Sequence, residues 1–361
     1  MPEAPSPKPE APSPKYPKSR LIRSIEFGKW RQHKGDGDMW PITWAADGFL
    51  YGAAGDNTGS PMNFWRIHGE SGASWSFHLE LIDNLPIDPK VYCSRPRVDK
   101  NRGVKPASVL GMDGILYLVP ELHNYGENPE FNRQCNVSSW IITTRDWGKT
   151  WDREATPLEF FTGRLASPHF IQFGKDYAGA RDEFVYATFP AGEDGKSYWC
   201  NADCLLLGRV PRGKLLDRAA WEFFTGTPEA PAWDRDDAKA RPVFEYPRMT
   251  GEDHVTWNRH LKRYLLPNFS FLDRETLRPR PYHQKWPESV YPSQLTLFEA
   301  PEPWGPWSLF HRDDDFGHYG VYQPSFPTKW MMDDGKTLYL VYSGSHDDYN
   351  FTCQGVVLDL F

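Results

Sequence analysis

Gly35-Asp36-Gly37-Asp38-Met39-Trp40-Pro41-Ile42-Thr43-Trp44-Ala45-Ala46-Asp47-Gly48-Phe49-Leu50-Tyr51-Gly52-Ala53-Ala54-Gly55-Asp56-Asn57 reads as a β-hairpin. An aromatic, apolar run meets an Asp-Gly turn, and a second such run follows it. With a three-residue loop Ala46-Asp47-Gly48 and Gly48 in the left-handed region, residues whose numbers sum to 94 face one another. Asp38 then stands opposite Asp56, and cross-strand neighbours lie about 5 Å apart. A two-residue Asp47-Gly48 loop would slip the register by one and turn the two carboxylates to opposite faces.

The same theme recurs along the chain. Trp44-Ala-Ala-Asp-Gly-Phe-Leu-Tyr51 is echoed by Leu110-Gly-Met-Asp-Gly-Ile-Leu-Tyr117 and by Met332-Asp-Asp-Gly-Lys-Thr-Leu-Tyr339. Weaker copies are Phe170-Ile-Gln-Phe running to Asp182-Glu-Phe-Val-Tyr186, and Val255-Thr-Trp-Asn-Arg-His-Leu-Lys-Arg-Tyr264. Successive copies begin roughly 60 to 85 residues apart, the span of a four-stranded unit with one long loop. Five units predict an all-β, five-bladed β-propeller, with six or seven blades as the alternative. After the last copy only one strand remains, Phe351–Leu360, so Arg23–Trp30 is expected to arrive from the N-terminus and close the ring.

Composition agrees. Trp 16, Tyr 17 and Phe 22 are a heavy aromatic load, and Pro 33 with Gly 29 implies many turns. Long helical periodicity is scarce. A net charge of −7 without a basic block argues against a nucleic-acid partner. No apolar run approaches the ~18 residues of a membrane span. The five cysteines, Cys93, Cys135, Cys200, Cys204 and Cys353, match no zinc spacing and allow at most two disulfides with one thiol over. The near-repeat Glu3-Ala-Pro-Ser-Pro-Lys8 and Glu10-Ala-Pro-Ser-Pro-Lys15 predicts a disordered proline-rich tether over residues 1–19. Residues 20–361 are then a single catalytic propeller domain. A tether of this kind fits a secreted, periplasmic or cell-surface protein and could carry a lipid anchor.

Thr144-Arg-Asp146-Trp-Gly148-Lys-Thr150-Trp151 matches the Asp-box pattern, in which the Asp carboxylate binds turn N–H groups and Trp packs beneath. Its expected role is structural.

The Asp38…Asp47-Gly48…Gly55-Asp56 arrangement resembles the opening of a propeller family first catalogued as a domain of unknown function, whose members include bacterial endo-D-arabinanases. Ser167-Pro-His169-Phe, Tyr291–Trp307 and Tyr322-Gln-Pro-Ser325 resemble related carbohydrate-active propellers, among them rhamnosyl-glucuronate-acting and sialidase-like ones. The likeness spans about residue 20 to 361. It implies that Asp38 and Asp56 are the catalytic acids, although Met39-Trp40 stands where a smaller pair is usual.

A carboxylate pair is what glycoside hydrolysis needs, one acid to protonate the leaving oxygen and one base or nucleophile. The loops entering each innermost strand add Trp40, Lys105, His169, Asp253, His254, Tyr322 and Gln323 as candidates. Trp40 or Tyr322 could stack on a sugar, and His169 and His254 are catalytic candidates beside the acids. The leading expectation is an exported hydrolase acting on a polysaccharide or oligosaccharide. It needs no cofactor, although Ca²⁺ could sit in the channel. The alternatives are a polysaccharide lyase, using His169, His254, Lys105 or Tyr322 to remove the proton α to a uronate carboxyl, and a non-catalytic glycan-binding propeller. A sialidase is disfavoured, because the one Asp box comes without an Arg-Ile-Pro stretch.

Overall fold

A computed structural model describes residues 11–33, 37–57, 60–70, 76–85, 102–124, 135–272, 293–316, 321–344 and 351–361, with the side chains of residues 56, 57, 60, 61, 102, 124 and 322 excepted. Among these residues regular structure is β-strand with a few single-turn 3₁₀ segments. No helix is long and apolar enough to cross a membrane.

The opening hairpin forms as read. Ile42 pairs with Gly52, Thr43 with Tyr51 and Trp44 with Leu50, each pair summing to 94. Local chemistry explains why this motif repeats. Asp47 accepts hydrogen bonds from the Phe49 N–H at 3.1 Å and from the Tyr51 hydroxyl at 2.7 Å, and Gly48 takes φ 91°. Asp182 accepts in the same way from the Phe184 N–H and the Tyr186 hydroxyl, and Asp194 from the Lys196 N–H and the Tyr198 hydroxyl. The tyrosine four residues on therefore locks the turn to the strand that leaves it.

Three four-stranded antiparallel sheets result. The first runs Ile42–Trp44, Leu50–Asn57, Ser60–Glu70, Ser76–Asp83. Another runs Thr256–Asn258, Arg263–Phe271, Ser293–Ala300, Ser308–Phe316. The last takes Val321–Ser325, Thr337–Gly344 and Phe351–Leu360 from the C-terminus and gains Ile22–His33 from the N-terminus, which pairs antiparallel with Phe351–Leu360. The chain between them departs from the expectation of separate blades and forms one 12-stranded sheet. The short strand Ser197–Tyr198 pairs with both Phe184–Ala191 and Cys135–Ser139, stitching two meanders together.

The apolar core lies between sheets. Tyr51, Phe64, Phe161, Phe189, Trp221 and Phe223 are among its fully buried side chains. The segment Thr144–Trp151 closes a tight turn as expected. Asp146 accepts from the Thr150 N–H at 2.9 Å and the Thr150 hydroxyl at 2.7 Å, and these bonds hold its pKa down at about 2. Trp151 packs edge-on against Phe64. Cys135, Cys200, Cys204 and Cys353 are buried, and none of these four is in a disulfide.

Residues 11–19 differ from a free tether. Tyr16 stacks on Phe244 with ring centroids 5.0 Å apart, and its hydroxyl accepts from the Glu245 N–H at 2.7 Å. Ala11 is buried, Tyr246 donates to the Pro12 carbonyl, and the backbone of residues 17–19 pairs with Leu309. An aromatic ring with two apolar partners overrides the extended preference of its proline neighbours. Tyr16→Ala is expected to cost about 2 kcal/mol through lost burial and stacking, read as a lower urea midpoint. An unchanged midpoint would show that this segment contributes nothing to the fold.

Candidate functional site

Asp38 sits where the hairpin expectation fails. Its backbone pairs with Gly55, N–H to carbonyl in both directions at 2.8 and 2.7 Å, not with Asp56. The register therefore slips by one residue beyond Ile42, and Met39 absorbs the slip with φ 74°. The predicted Asp38–Asp56 cross-strand pair is not made; the side chain of Asp56 lies outside the described residues, as does that of Tyr322. The slip brings Asp38 against Lys105 instead, Nζ to Oδ1 at 3.2 Å, with both side chains buried. Gly55 makes room for this ion pair, since a Cβ there would lie 2.8 Å from Lys105 Cδ and 3.0 Å from Asp38 Oδ1.

Lys105 leads to a second set of acids. It pairs across the strands with Glu121. Glu121 lies 2.6 Å from His123 Nε2, and the Glu252 carboxyl stands beside both. Glu252 accepts at Oε1 from Asn136 at 3.1 Å and from Ser167 at 3.2 Å, and at Oε2 from Gln323 at 2.5 Å. Ser167 is also 2.8 Å from His169 Nε2. Glu121 and Glu252 are both fully buried. Burial raises the Glu121 pKa to about 7, and burial together with Glu121 places Glu252 well above the usual carboxylate range. Two carboxyls this close together and away from water resist ionising at the same time. The ligand atoms of Glu121, His123 and Glu252 lie within 4.8 Å of one another, close enough to hold a metal ion.

The remaining candidates divide. His169 and His254 meet edge to face at 4.9 Å. Burial, and for His169 also its neighbour His254, lowers both pKa values, that of His254 to about 4. Such imidazoles are neutral near pH 7 and weak as bases. Asp253 is fully buried, and desolvation pushes it well above the carboxylate range. Trp40 is a correction. It is 1% exposed and packs against Trp65 and Phe351, so it belongs to the core and offers no face to a sugar. The residue at the edge of the acid cluster is Trp199, half-buried, whose ring lies 6.3 Å from that of His123.

Glu121, His123, Asn136, Ser167 and Glu252 were not among the expected site residues. Glu121-Leu-His123 did carry a signal. Two polar residues at a spacing of two occupy one face of the largely apolar strand Ile115–Asn124.

No family model matches the chain, and no curated protein matches it in sequence. Solved structures do. The GH43_1 enzyme from Xanthomonas citri, solved with xylotriose, aligns at 13% identity over 90% of this chain and 88% of that one, with a TM-score of 0.51. A protein of unknown function from Dyadobacter fermentans aligns at 11% identity over 94% and 100% of the two chains, TM-score 0.49. A glycosyl hydrolase from Bacteroides ovatus aligns at 11% identity over 93% and 96%, TM-score 0.46. The likeness to the Xanthomonas enzyme is one of fold, and that fold is of the propeller type used by carbohydrate-active enzymes.

Proposed function

We propose that the protein is a glycoside hydrolase built on a five-bladed propeller, the 12-stranded sheet supplying two blades joined at Ser197–Tyr198. The observation that carries the reading is a pair of buried acid sites linked by one strand pairing: Asp38 ion-paired to Lys105, and Lys105's cross-strand partner Glu121 clustered with Glu252 and His123 within 4.8 Å. One environment keeps a carboxylate and the other keeps a proton, the division of labour that glycoside hydrolysis requires. Asp38 is the base or nucleophile, and the Glu121–Glu252 pair delivers a proton to the leaving oxygen. Ser167, Asn136 and Gln323 hold Glu252 in place. Export and a polysaccharide or oligosaccharide substrate are part of this reading.

The acid-rich cluster favours hydrolysis over elimination. A lyase has to neutralise a uronate carboxylate, and here Lys105 and His123 are already paired with Asp38 and Glu121. Neutral glycans, arabinans and xylans included, should therefore be screened beside uronate-containing ones. New reducing ends from the wild type, lost in Asp38→Asn, support the hydrolase. Products absorbing in the ultraviolet as unsaturated uronates would establish the lyase, and tight glycan binding without turnover would establish a binding propeller.

A further inference from the structure

The geometry points to a divalent-cation site at Glu121, His123 and Glu252 whose occupation switches the proposed hydrolase off. Two carboxylates and an imidazole within 4.8 Å of one another are a donor set for a borderline ion such as Mn²⁺ or Zn²⁺. A second observation comes from outside this triad. Asn136 and Gln323, 3% and 1% exposed, each give an amide N–H to Glu252, while Asn136 Oδ1 and Gln323 Oε1 are buried without a hydrogen-bond donor. Buried amide oxygens without donors are costly. Rotating either amide by half a turn exchanges its nitrogen and oxygen and presents the oxygen to the acids. The cluster would then offer carboxylate, imidazole and amide donors from the strand Ile115–Asn124, the loop after Thr250 and the strands of Asn136 and Gln323, and a cation would satisfy the acceptors left over.

Inhibition rests on the hydrolase reading. An ion held by Glu121 and Glu252 takes both carboxyls that would carry the proton to the leaving oxygen. Binding itself does not depend on that reading, so the two are separable by experiment.

The full chain, stripped with a chelator and dialysed, would be titrated with Mn²⁺ and followed by the loss of the free Mn²⁺ signal in electron paramagnetic resonance. One site per chain is expected. Zn²⁺ or Mn²⁺ at a hundred times Kd should raise the melting temperature by about 3–4 °C, with Ca²⁺ weaker because of the nitrogen ligand. Glu121→Gln and His123→Gln should each weaken binding at least tenfold. Wild type that takes up no Mn²⁺ or Zn²⁺ overturns the site, as does undiminished binding in both variants when they are folded. Metal uptake that leaves turnover on an identified glycan unchanged overturns the inhibition. Metal uptake by a protein that hydrolyses no glycan would sink the hydrolase reading and leave the site standing.

Discussion

Glu252→Gln is expected to lower turnover on a cleaved glycan by about 10²–10⁴ while the melting temperature shifts by no more than a few degrees. The substitution keeps size and shape. The amide oxygen can still accept from Asn136 and Ser167, as Glu252 Oε1 does now. The new NH₂ would face the Gln323 Nε2 donor, but Gln323 can turn its amide and offer its buried, unbonded Oε1. The hydrogen-bond network therefore survives, and the contact between two carboxyl groups becomes an amide–carboxyl contact. What disappears is the transferable proton. Turnover and melting curves of wild type and variant, measured side by side, decide the matter. Normal turnover in a folded Gln variant would remove Glu252 from the reaction. A collapse of stability would make it a structural residue.

The parts of the molecule that could be read from sequence are those governed by local chemistry. The Asp47-Gly48 turn, its copy at Asp182, and the Asp146 turn each depend on groups within five residues of one another. The return of the N-terminal strand to the last sheet was legible from a missing fourth strand, because an unpaired sheet edge is a cost that the rest of the chain has to meet. Longer-range events were not legible. The slip at Met39 depends on how closely Lys105 approaches Gly55, and those residues are fifty positions apart in sequence. Trp40 looked like a sugar platform, as any tryptophan beside an acid does; Trp65 and, from the far end of the chain, Phe351 make it core. Glu252 was passed over in favour of its neighbour Asp253, because both lie in the loop between Pro242–Thr250 and Thr256–Asn258, where no strand alternation says which side chain turns toward Glu121.

Lys105→Met is expected to destabilise the protein by about 3–5 kcal/mol. Lys105 and Asp38 side chains are 4% and 6% exposed, so solvent cannot take over when one partner is lost. Methionine fills the volume of the aliphatic stem that lies against Gly55 and restores the packing, but it leaves the Asp38 carboxylate buried without that cation. The same step removes a positive charge that acts on Glu121. Adding Asp38→Asn to Lys105→Met should recover most of the loss, because a neutral amide of the same shape costs far less to bury than a carboxylate that has lost its cation. Urea denaturation of the wild type, both single variants and the double variant closes the cycle. A coupling energy near zero would mean that the pair is held together by the surrounding fold and adds nothing of its own. A large one would show that Asp38 is kept ionised by Lys105, the state in which it can serve as base or nucleophile. The double variant should then be stable and inactive, separating the contribution of the ion pair to the fold from that of Asp38 to the chemistry.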